Sequence, residues 1–263
     1  MSTSDATGDT TDDVALAIDD HVALIEMRRP PANYFDRDLL RSVADAGEQA
    51  QDAGARAIVL CSQGRHFCAG ASLGDGSGEL TPRAAAAAVY QQGVRIFALE
   101  IPVVAAVQGA AVGGGLGLAC AADFRVATSE SRFEANFSRL GFHPGFALSL
   151  TLPRIVGHPR AARLLYGGQP VRGEQALALG LVDQIAEPGE ERPVAIGLAR
   201  ELASAAPLAV RSIRRTLRRD LLAGLEQALE HELDEQERLW QTEDCATGIA
   251  SALERQVPTF LGR

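Results

Sequence analysis

Two glycine-rich turns, each directly after an apolar strand-like run, constrain this chain most strongly. The first turn, residues 64–73, follows the run 57–61, and the second, 109–118, follows the run 102–107. Open α/β sheets bind ligands at turns after the carboxyl ends of their strands, and glycine lets backbone N–H groups approach an oxygen closely. The second turn leads into an apolar helix, whose N-terminal dipole favours negative charge. The pair therefore predicts backbone donors directed at a ligand oxygen.

The three consecutive glycines of the second turn, Gly113 to Gly115, have a simpler interpretation when taken alone. A tight turn with close helix packing explains them equally well. They match neither the G-x-G-x-x-G pattern of dinucleotide sites nor the G-x-x-x-x-G-K-[ST] pattern of phosphate loops. The chain contains no Lys, and all 25 of its positive side chains are Arg. Any phosphate that the protein binds would therefore be held by guanidinium groups.

Strand-like and helical patterns alternate as far as about residue 149, and helical patterns then dominate. Alternation of this kind predicts an α/β fold with a largely parallel sheet. Long helical patterns at 208–220 and 221–240 predict two separate helices near the C-terminus. We expect an acidic disordered tail at 1–13, an α/β core at 14–200 and a helical region at 201–263.

Composition excludes several classes of protein. The net charge of −9 argues against a broad nucleic-acid-binding surface, and no apolar stretch is long enough to predict a membrane span. The four cysteines have no C-x-x-C spacing, so we expect buried free thiols, no metal site and a cytoplasmic location. The arginine-rich run 211–219 is interpreted as a solvated or subunit-facing surface, and Asp123 as a structural residue.

The segment 104–124, VAAVQGAAVGGGLGLACAADF, and the segment 64–73, GRHFCAGASL, are similar to conserved blocks of the enoyl-CoA hydratase/isomerase (crotonase) superfamily. The resemblance is collinear from about residue 14 to the end. It implies a crotonase-like α/β fold, with ββα repeats in a spiral core and a helical C-terminal region that forms trimers. It also implies an acyl-CoA substrate, no cofactor other than the coenzyme A of that substrate, and a homotrimer or hexamer.

The resemblance also implies roles for individual residues. The backbone N–H groups of Ala71 and Gly114 fall where the family forms its oxyanion hole, which stabilises the enolate of the thioester. The positions at which the family encloses the coenzyme A are, in this chain, Pro31, Ala32, Ala69 and Leu73.

The sequence departs from the family at both positions of the usual catalytic glutamate pair, which are Gly117 and Phe137 here. Neither side chain can transfer a proton, so ordinary hydration is not expected. A glycine and an aromatic residue at these positions would suit a bulky or planar acyl group, although plain core packing explains Phe137 equally well. Tyr90 lies on the helix that covers the acyl chain in the family and is a further candidate pocket residue.

His143 is the main candidate for a replacement acid or base, because imidazole titrates near neutral pH. A loop histidine that binds a backbone carbonyl is the alternative interpretation. Glu134 and Asn136 are further polar candidates close to the lost second glutamate. Isomerisation, decarboxylation and hydrolysis of an acyl-CoA therefore remain open, as do hydration with water held by other groups and binding of an acyl-CoA without turnover.

Overall fold

The computed structural model describes residues 13–72 and 81–263. The predicted tail, apart from Asp13, and the predicted coenzyme A contact Leu73 lie outside the described residues.

The described chain forms nine strands and nine α-helices. The strands are β1 (Val14–Asp19), β2 (Val22–Met27), β3 (Ala57–Ser62), β4 (Val103–Val107), β5 (Ala110–Val112), β6 (Phe124–Thr128), β7 (Arg132–Glu134), β8 (Val171–Arg172) and β9 (Gln184–Ala186). The helices are α1 (Arg37–Asp52), α2 (Pro82–Ala98), α3 (Gly114–Ala121), α4 (Leu148–Val156), α5 (His158–Gly167), α6 (Gly173–Leu179), α7 (Glu191–Ser204), α8 (Pro207–Trp240) and α9 (Glu243–Glu254). The predicted boundary at residue 200 falls inside α7.

The six-stranded sheet has the order β1-β2-β3-β4-β6-β9, and only the pairing of β1 with β2 is antiparallel. Every residue of β3 and β4 is buried, as expected of parallel strands covered on both faces. One face packs against α7 through small residues such as Ala195 and Ala199, and the other forms the main core with α1, α2 and α3. The short strands β5, β7 and β8 form a second sheet beside the first.

Local signals fix the starts of the two helices that flank the first turn. The Asp36 side chain accepts a hydrogen bond from the N–H of Leu39 (2.9 Å) and caps α1. Thr81 caps α2 in the same way through the N–H of Ala84 (3.3 Å), and Pro82 occupies the first helical position, where its missing N–H costs nothing.

The C-terminal region differs from expectation at two points. The helices predicted at 208–220 and 221–240 are one continuous helix, α8. The run 211–219 is not wholly a surface, because Arg214 and Arg218 are buried and both bind the carboxylate of Asp123, at 2.8 and 3.0 Å. These two arginines lie four residues apart on the helix face that packs against the core, and Asp123 is structural, as predicted.

All four cysteines are free and buried, as predicted. The described residues contain no cluster of three or more His, Cys, Asp or Glu side chains that could hold a metal ion. Of the helices in these ranges, none alone has the length and apolar composition of a membrane span. Only α7 and α8 taken together, at 107° to one another, reach that composition.

Candidate active site

The first glycine-rich turn is fastened to the N-terminal segment by Asn33. Its buried side-chain amide donates hydrogen bonds to the carbonyls of Gln63 (2.9 Å) and His66 (2.7 Å). The N–H of Ala69 donates to the carbonyl of Ala32 (2.9 Å). Two of the four predicted coenzyme A contacts are therefore neighbours. A third, Pro31, is exposed on the same segment.

The two glycine-rich turns lie side by side. Cys68 forms a parallel bridge with Ala111, in which the N–H of Cys68 donates to the Ala110 carbonyl (3.1 Å) and the N–H of Val112 donates to the Cys68 carbonyl (3.0 Å). Glycine is required for this approach, because a Cβ on Gly115 would lie 2.2 Å from the Cys68 oxygen. The bridge has an offset of 43 residues, which is also the separation of Ala71 from Gly114 in the sequence; the paired stretch itself ends where the second turn enters α3 at Gly114.

The hydrogen bonds around Ala71 determine the direction of its N–H group. The carbonyl of Phe35 accepts a hydrogen bond from the N–H of Ser72 (2.7 Å), and the N–H of Phe35 donates to the carbonyl of Gly70 (3.0 Å). These two hydrogen bonds make a parallel bridge between Phe35 and Ala71. The N–H of Ala71 lies between the bonded carbonyl of Gly70 and the bonded N–H of Ser72, and it points to the opposite side of the strand, away from Phe35. Gly114 begins α3, and N–H groups in the first turn of a helix have no intrahelical acceptor. Within the described residues, neither N–H donates to another group.

An aromatic cluster covers one face of α3 next to these donors. A Cβ on Gly114 would lie 2.5 Å from Cζ of Phe35, and one on Gly117 would lie 2.8 Å from Cβ of Phe146. The two rings are 5.2 Å apart, and Tyr90 meets Phe146 edge-on at 6.2 Å. Phe146 therefore occupies the space into which a side chain at position 117 would extend. The expectation that Gly117 and Phe137 together suit a bulky or planar acyl group stays a prediction.

Phe137 and its neighbours form the opposite side of the second turn. The N–H of Gly113 donates to the carbonyl of Glu134 (2.8 Å). A Cβ on Gly113 would lie 3.2 Å from Oδ1 of Asn136 and 3.8 Å from Cζ of Phe137. Burial raises the pKa of the Glu134 carboxyl, and Arg132, 3.5 Å away, partly offsets this. Asn136 and Phe137 thus lie beside the residue that precedes the Gly114 donor.

The His143 ring is turned towards α8. Its Nδ1 lies 2.8 Å from the Pro144 carbonyl, and its ring centroid is 5.7 Å from that of His231. Burial lowers its pKa, so the imidazole is favoured in the neutral form. This geometry matches the interpretation as a loop histidine that binds a carbonyl, and the acid–base role stays a prediction.

Tyr90 is buried on α2, and its hydroxyl donates to Oε1 of Gln236 on α8 (3.1 Å). Burial raises the pKa of the phenol, which is therefore neutral at physiological pH. The residue also lines a groove of about 290 Å³ between α2 and α8, with apolar neighbours that include Val94 and Leu229. Tyr90 thus separates this groove from Phe146.

Glu232 is a buried carboxyl group that sequence reasoning missed. It lies on α8 and accepts hydrogen bonds from the N–H groups of Ala147 (2.8 Å) and Ser149 (2.9 Å) and from the Ser149 hydroxyl (2.6 Å). Burial raises its pKa to about 7. A signal was present in the sequence, since Glu232 interrupts the apolar stripe that Leu225, Leu229 and Leu233 form on α8.

Comparisons with known proteins show the family and the fold of the chain. The family model for enoyl-CoA hydratase/isomerase matches residues 17–263. A Bacillus subtilis protein described as a probable enoyl-CoA hydratase is 34% identical over 254 residues, covering 95% of this chain and 98% of the relative. The short-chain-enoyl-CoA hydratase of Clostridium acetobutylicum is 31% identical, with 95% and 98% covered.

Among solved structures, the enoyl-CoA hydratase/isomerase of Pseudoalteromonas atlantica superimposes with a TM-score of 0.85 at 28% identity, covering 95% of this chain and all of the other. The match spans the α/β core and the helical C-terminal region alike. The chain therefore has the crotonase fold and belongs to the enoyl-CoA hydratase/isomerase family.

Proposed function

We propose that the protein binds an acyl-CoA thioester with its carbonyl oxygen between the N–H groups of Ala71 and Gly114, and stabilises the enolate of that thioester. The observation that carries the proposal is the alignment of the two turns, which leaves both N–H groups without an acceptor among the described residues. Preorganised donors of this kind act where charge develops in the transition state, and the N-terminus of α3 adds a favourable dipole.

The proposed chemistry is α-proton transfer and not ordinary hydration. A base removes the α-proton of the acyl group. The electron pair of the broken C–H bond forms a double bond between the α-carbon and the carbonyl carbon, and the π pair of the C=O bond moves to the oxygen, which gives the enolate. In a 3-enoyl thioester, return of the proton at the γ-carbon moves the double bond to the α,β position. Gly117 and Phe137 offer no group that could present or protonate a water.

Glu134 is our preferred proton carrier. Its main-chain carbonyl accepts a hydrogen bond from the N–H of Gly113, the residue before the Gly114 donor. Burial also raises the pKa of its carboxyl group towards the range useful for a general base. His143 is the second candidate, and the orientation of its ring towards His231 makes it the weaker one.

Coenzyme A is proposed to enter only as part of the substrate, along the segment that contains the exposed Pro31 and the buried Ala32. Ala69 and Leu73 would contact it from the first turn. The phosphates of the coenzyme would pair with Arg, since the chain has no Lys.

The experiment that tests this function is hydrogen exchange at the α-carbon. Saturated and 3-enoyl-CoA thioesters are incubated with the protein in D₂O, and the deuterium content of the acyl group is followed by mass spectrometry. Catalysed exchange is expected, because enolate formation releases the α-proton whatever the later step.

Matched glycine variants relate that exchange to the donors. In Gly114→Ala the new Cβ collides with Phe35, at 2.5 Å, and should displace the donor, so exchange should fall by about 10²–10³-fold. Gly197→Ala, on α7, meets no atom within 4 Å and should leave exchange unchanged. Glu134→Gln should abolish exchange, whereas His143→Asn should not. Equal exchange with and without protein would refute the enolate proposal.

Binding without turnover is the second candidate function. It is favoured by the occupation of the space beside Gly117 by Phe146, which leaves no room for a catalytic acid at that position. Tight binding of acyl-CoA esters together with no exchange and no substrate loss would establish this function in place of the first.

We also propose that the protein assembles as a homotrimer or as a hexamer of two trimers. Support comes from large apolar side chains left exposed on α8, such as Leu208 and Leu217, and near the C-terminus, such as Leu253 and Val257. Light scattering on the purified protein should give three or six times the chain mass of 27.8 kDa. A monomer at micromolar concentration would contradict the proposal.

A further inference from the structure

Phe146 fills a space that two glycines leave between α2 and α3. Its side chain is only 2% exposed. A Cβ on Gly117 would lie 2.8 Å from the Cβ of Phe146, and a Cβ on Gly93 would lie 2.9 Å from its Cζ. The ring thus occupies the volume that a side chain at position 93 would need. At position 117 a Cβ would meet the ring at Cδ1 (3.0 Å) as well as the Cβ and the backbone oxygen of Phe146.

The backbone at this point is strained and is held in place from outside. Phe146 and Ala147 have φ angles of 58° and 57°, in the left-handed region that residues with a Cβ avoid. Such residues persist only where their surroundings hold them, and they cluster at functional sites. The carboxylate of Glu232 supplies the hold through the N–H groups of Ala147 and Ser149. The position of the ring is therefore fixed by a built arrangement.

The ring lies next to the proposed carbonyl site. Gly114 and Gly117 are three residues apart on α3 and so share a face of the helix. Phe35 covers the first of them and Phe146 the second, with the two rings 5.2 Å apart. An acyl group whose carbonyl oxygen meets the Gly114 N–H would meet Phe146 when it extends along this face.

We infer that Phe146 is a specificity-determining residue that limits the size of the acyl group accepted beside α3. The inference rests on the proposed function. Because its ring is almost wholly buried, it acts as a filler of volume and not as a platform for stacking. A smaller side chain would leave an apolar cavity bounded by Phe35, Tyr90 and Phe97, and dry apolar cavities of this kind accept apolar groups.

The test compares two truncations of Phe146 with one matched control. Phe146→Leu and Phe146→Ala open progressively more space beside Gly117. Phe97→Ala removes another buried ring of the same cluster, 6.2 Å from Phe146, which is not among the atoms nearest to Gly117. Dissociation constants for acetyl-, butyryl- and cyclohexanecarbonyl-CoA are measured by calorimetry, and cooperative thermal unfolding shows that each variant is folded.

The expected result is a change in preference and not a uniform change in affinity. Each added methylene-sized group that enters the new space should improve binding by about tenfold or more relative to wild type, while acetyl-CoA binds as before. Phe146→Leu should show a smaller shift in the same direction and carries the test if the alanine variant does not fold. Phe97→Ala should leave the order of affinities unchanged.

Two outcomes would overturn the inference. An unchanged order of affinities in folded Phe146→Leu and Phe146→Ala would show that this residue does not limit the acyl group. An equal shift in Phe97→Ala would show that loosening of the cluster, and not the space beside Gly117, governs preference. Failure of wild type to bind any of the three thioesters would be a different result, because it removes the proposed function itself.

Discussion

Replacement of Glu232 by Gln should remove a pH dependence from the stability of the fold. In the folded protein burial raises the pKa of this carboxyl from 4.5 to about 7. The unfolded chain therefore releases the proton at a lower pH than the folded protein does. Between these two values the unfolded state binds fewer protons, so the free energy of unfolding falls as the pH rises.

The magnitude follows from the size of that shift. Each pKa unit corresponds to about 1.4 kcal/mol, so burial of the ionised Glu232 costs about 3 kcal/mol. The contribution of the protonated Glu232 to the free energy of unfolding is fully present below pH 4.5 and is lost as the pH rises through about 7. A glutamine keeps the shape and one acceptor oxygen but does not titrate. Its stability relative to wild type should therefore increase by about 3 kcal/mol between pH 4.5 and 8.

Urea unfolding followed by circular dichroism across this pH range measures the effect, and the difference between variant and wild type cancels the other titrating groups. Glu230→Gln on the same helix is the control. Its side chain is 64% exposed, so it cannot carry a burial effect of this size. A Glu232→Gln difference that stays flat with pH would refute the reasoning, because the carboxyl would then ionise equally easily in both states.

Three further substitutions test other parts of the structure by chemical denaturation. Ala147→Gly should stabilise the protein by about 1 kcal/mol, because it relieves a left-handed φ of 57°, whereas Ala85→Gly, inside a helix, should destabilise by a similar amount. Asp123→Asn should cost about 3 kcal/mol, because it leaves two buried arginines unpaired, and Asp220→Asn at an exposed pair should change stability by less than about 0.5 kcal/mol. Gly115→Ala should cost several kcal/mol, of order 3, because its Cβ would lie 2.2 Å from a backbone oxygen; a neutral result would contradict the close contact of the two turns.

Much of the fold follows from local sequence signals. Helices α1 and α2 begin directly after a side chain of the type that favours a helix start, because Asp36 and Thr81 cap their first turns. The break predicted near residue 220 is absent, since apolar residues at helical spacing continue across it and bury Leu225 and Leu229. Strands of two or three residues, such as β8 and β9, are too short for periodicity to reveal.

The candidate site could be predicted only in part for a similar reason. The glycine-rich composition of the two turns predicts backbone donors there, and the resemblance to the family assigns the donors to Ala71 and Gly114. Phe146 and Glu232 were missed, because what they do depends on contacts between distant segments, such as the hydrogen bond from Ala147 to a carboxylate 85 residues further along the chain. No local pattern identifies the residue that fills the space left by a glycine.

Gly117 and Phe146 depend on each other sterically. A side chain at position 117 and Phe146 compete for one volume, since a Cβ on the glycine would come within 2.8 to 3.0 Å of the Cβ, the Cδ1 and the backbone oxygen of Phe146. Ionising a glutamate there would also require burial of a charge among aromatic rings, which is costly without partners. Substitution of Gly117 alone could not restore an acid at this position. The backbone donors do not depend on either side chain, so carbonyl activation can persist while the proton chemistry changes.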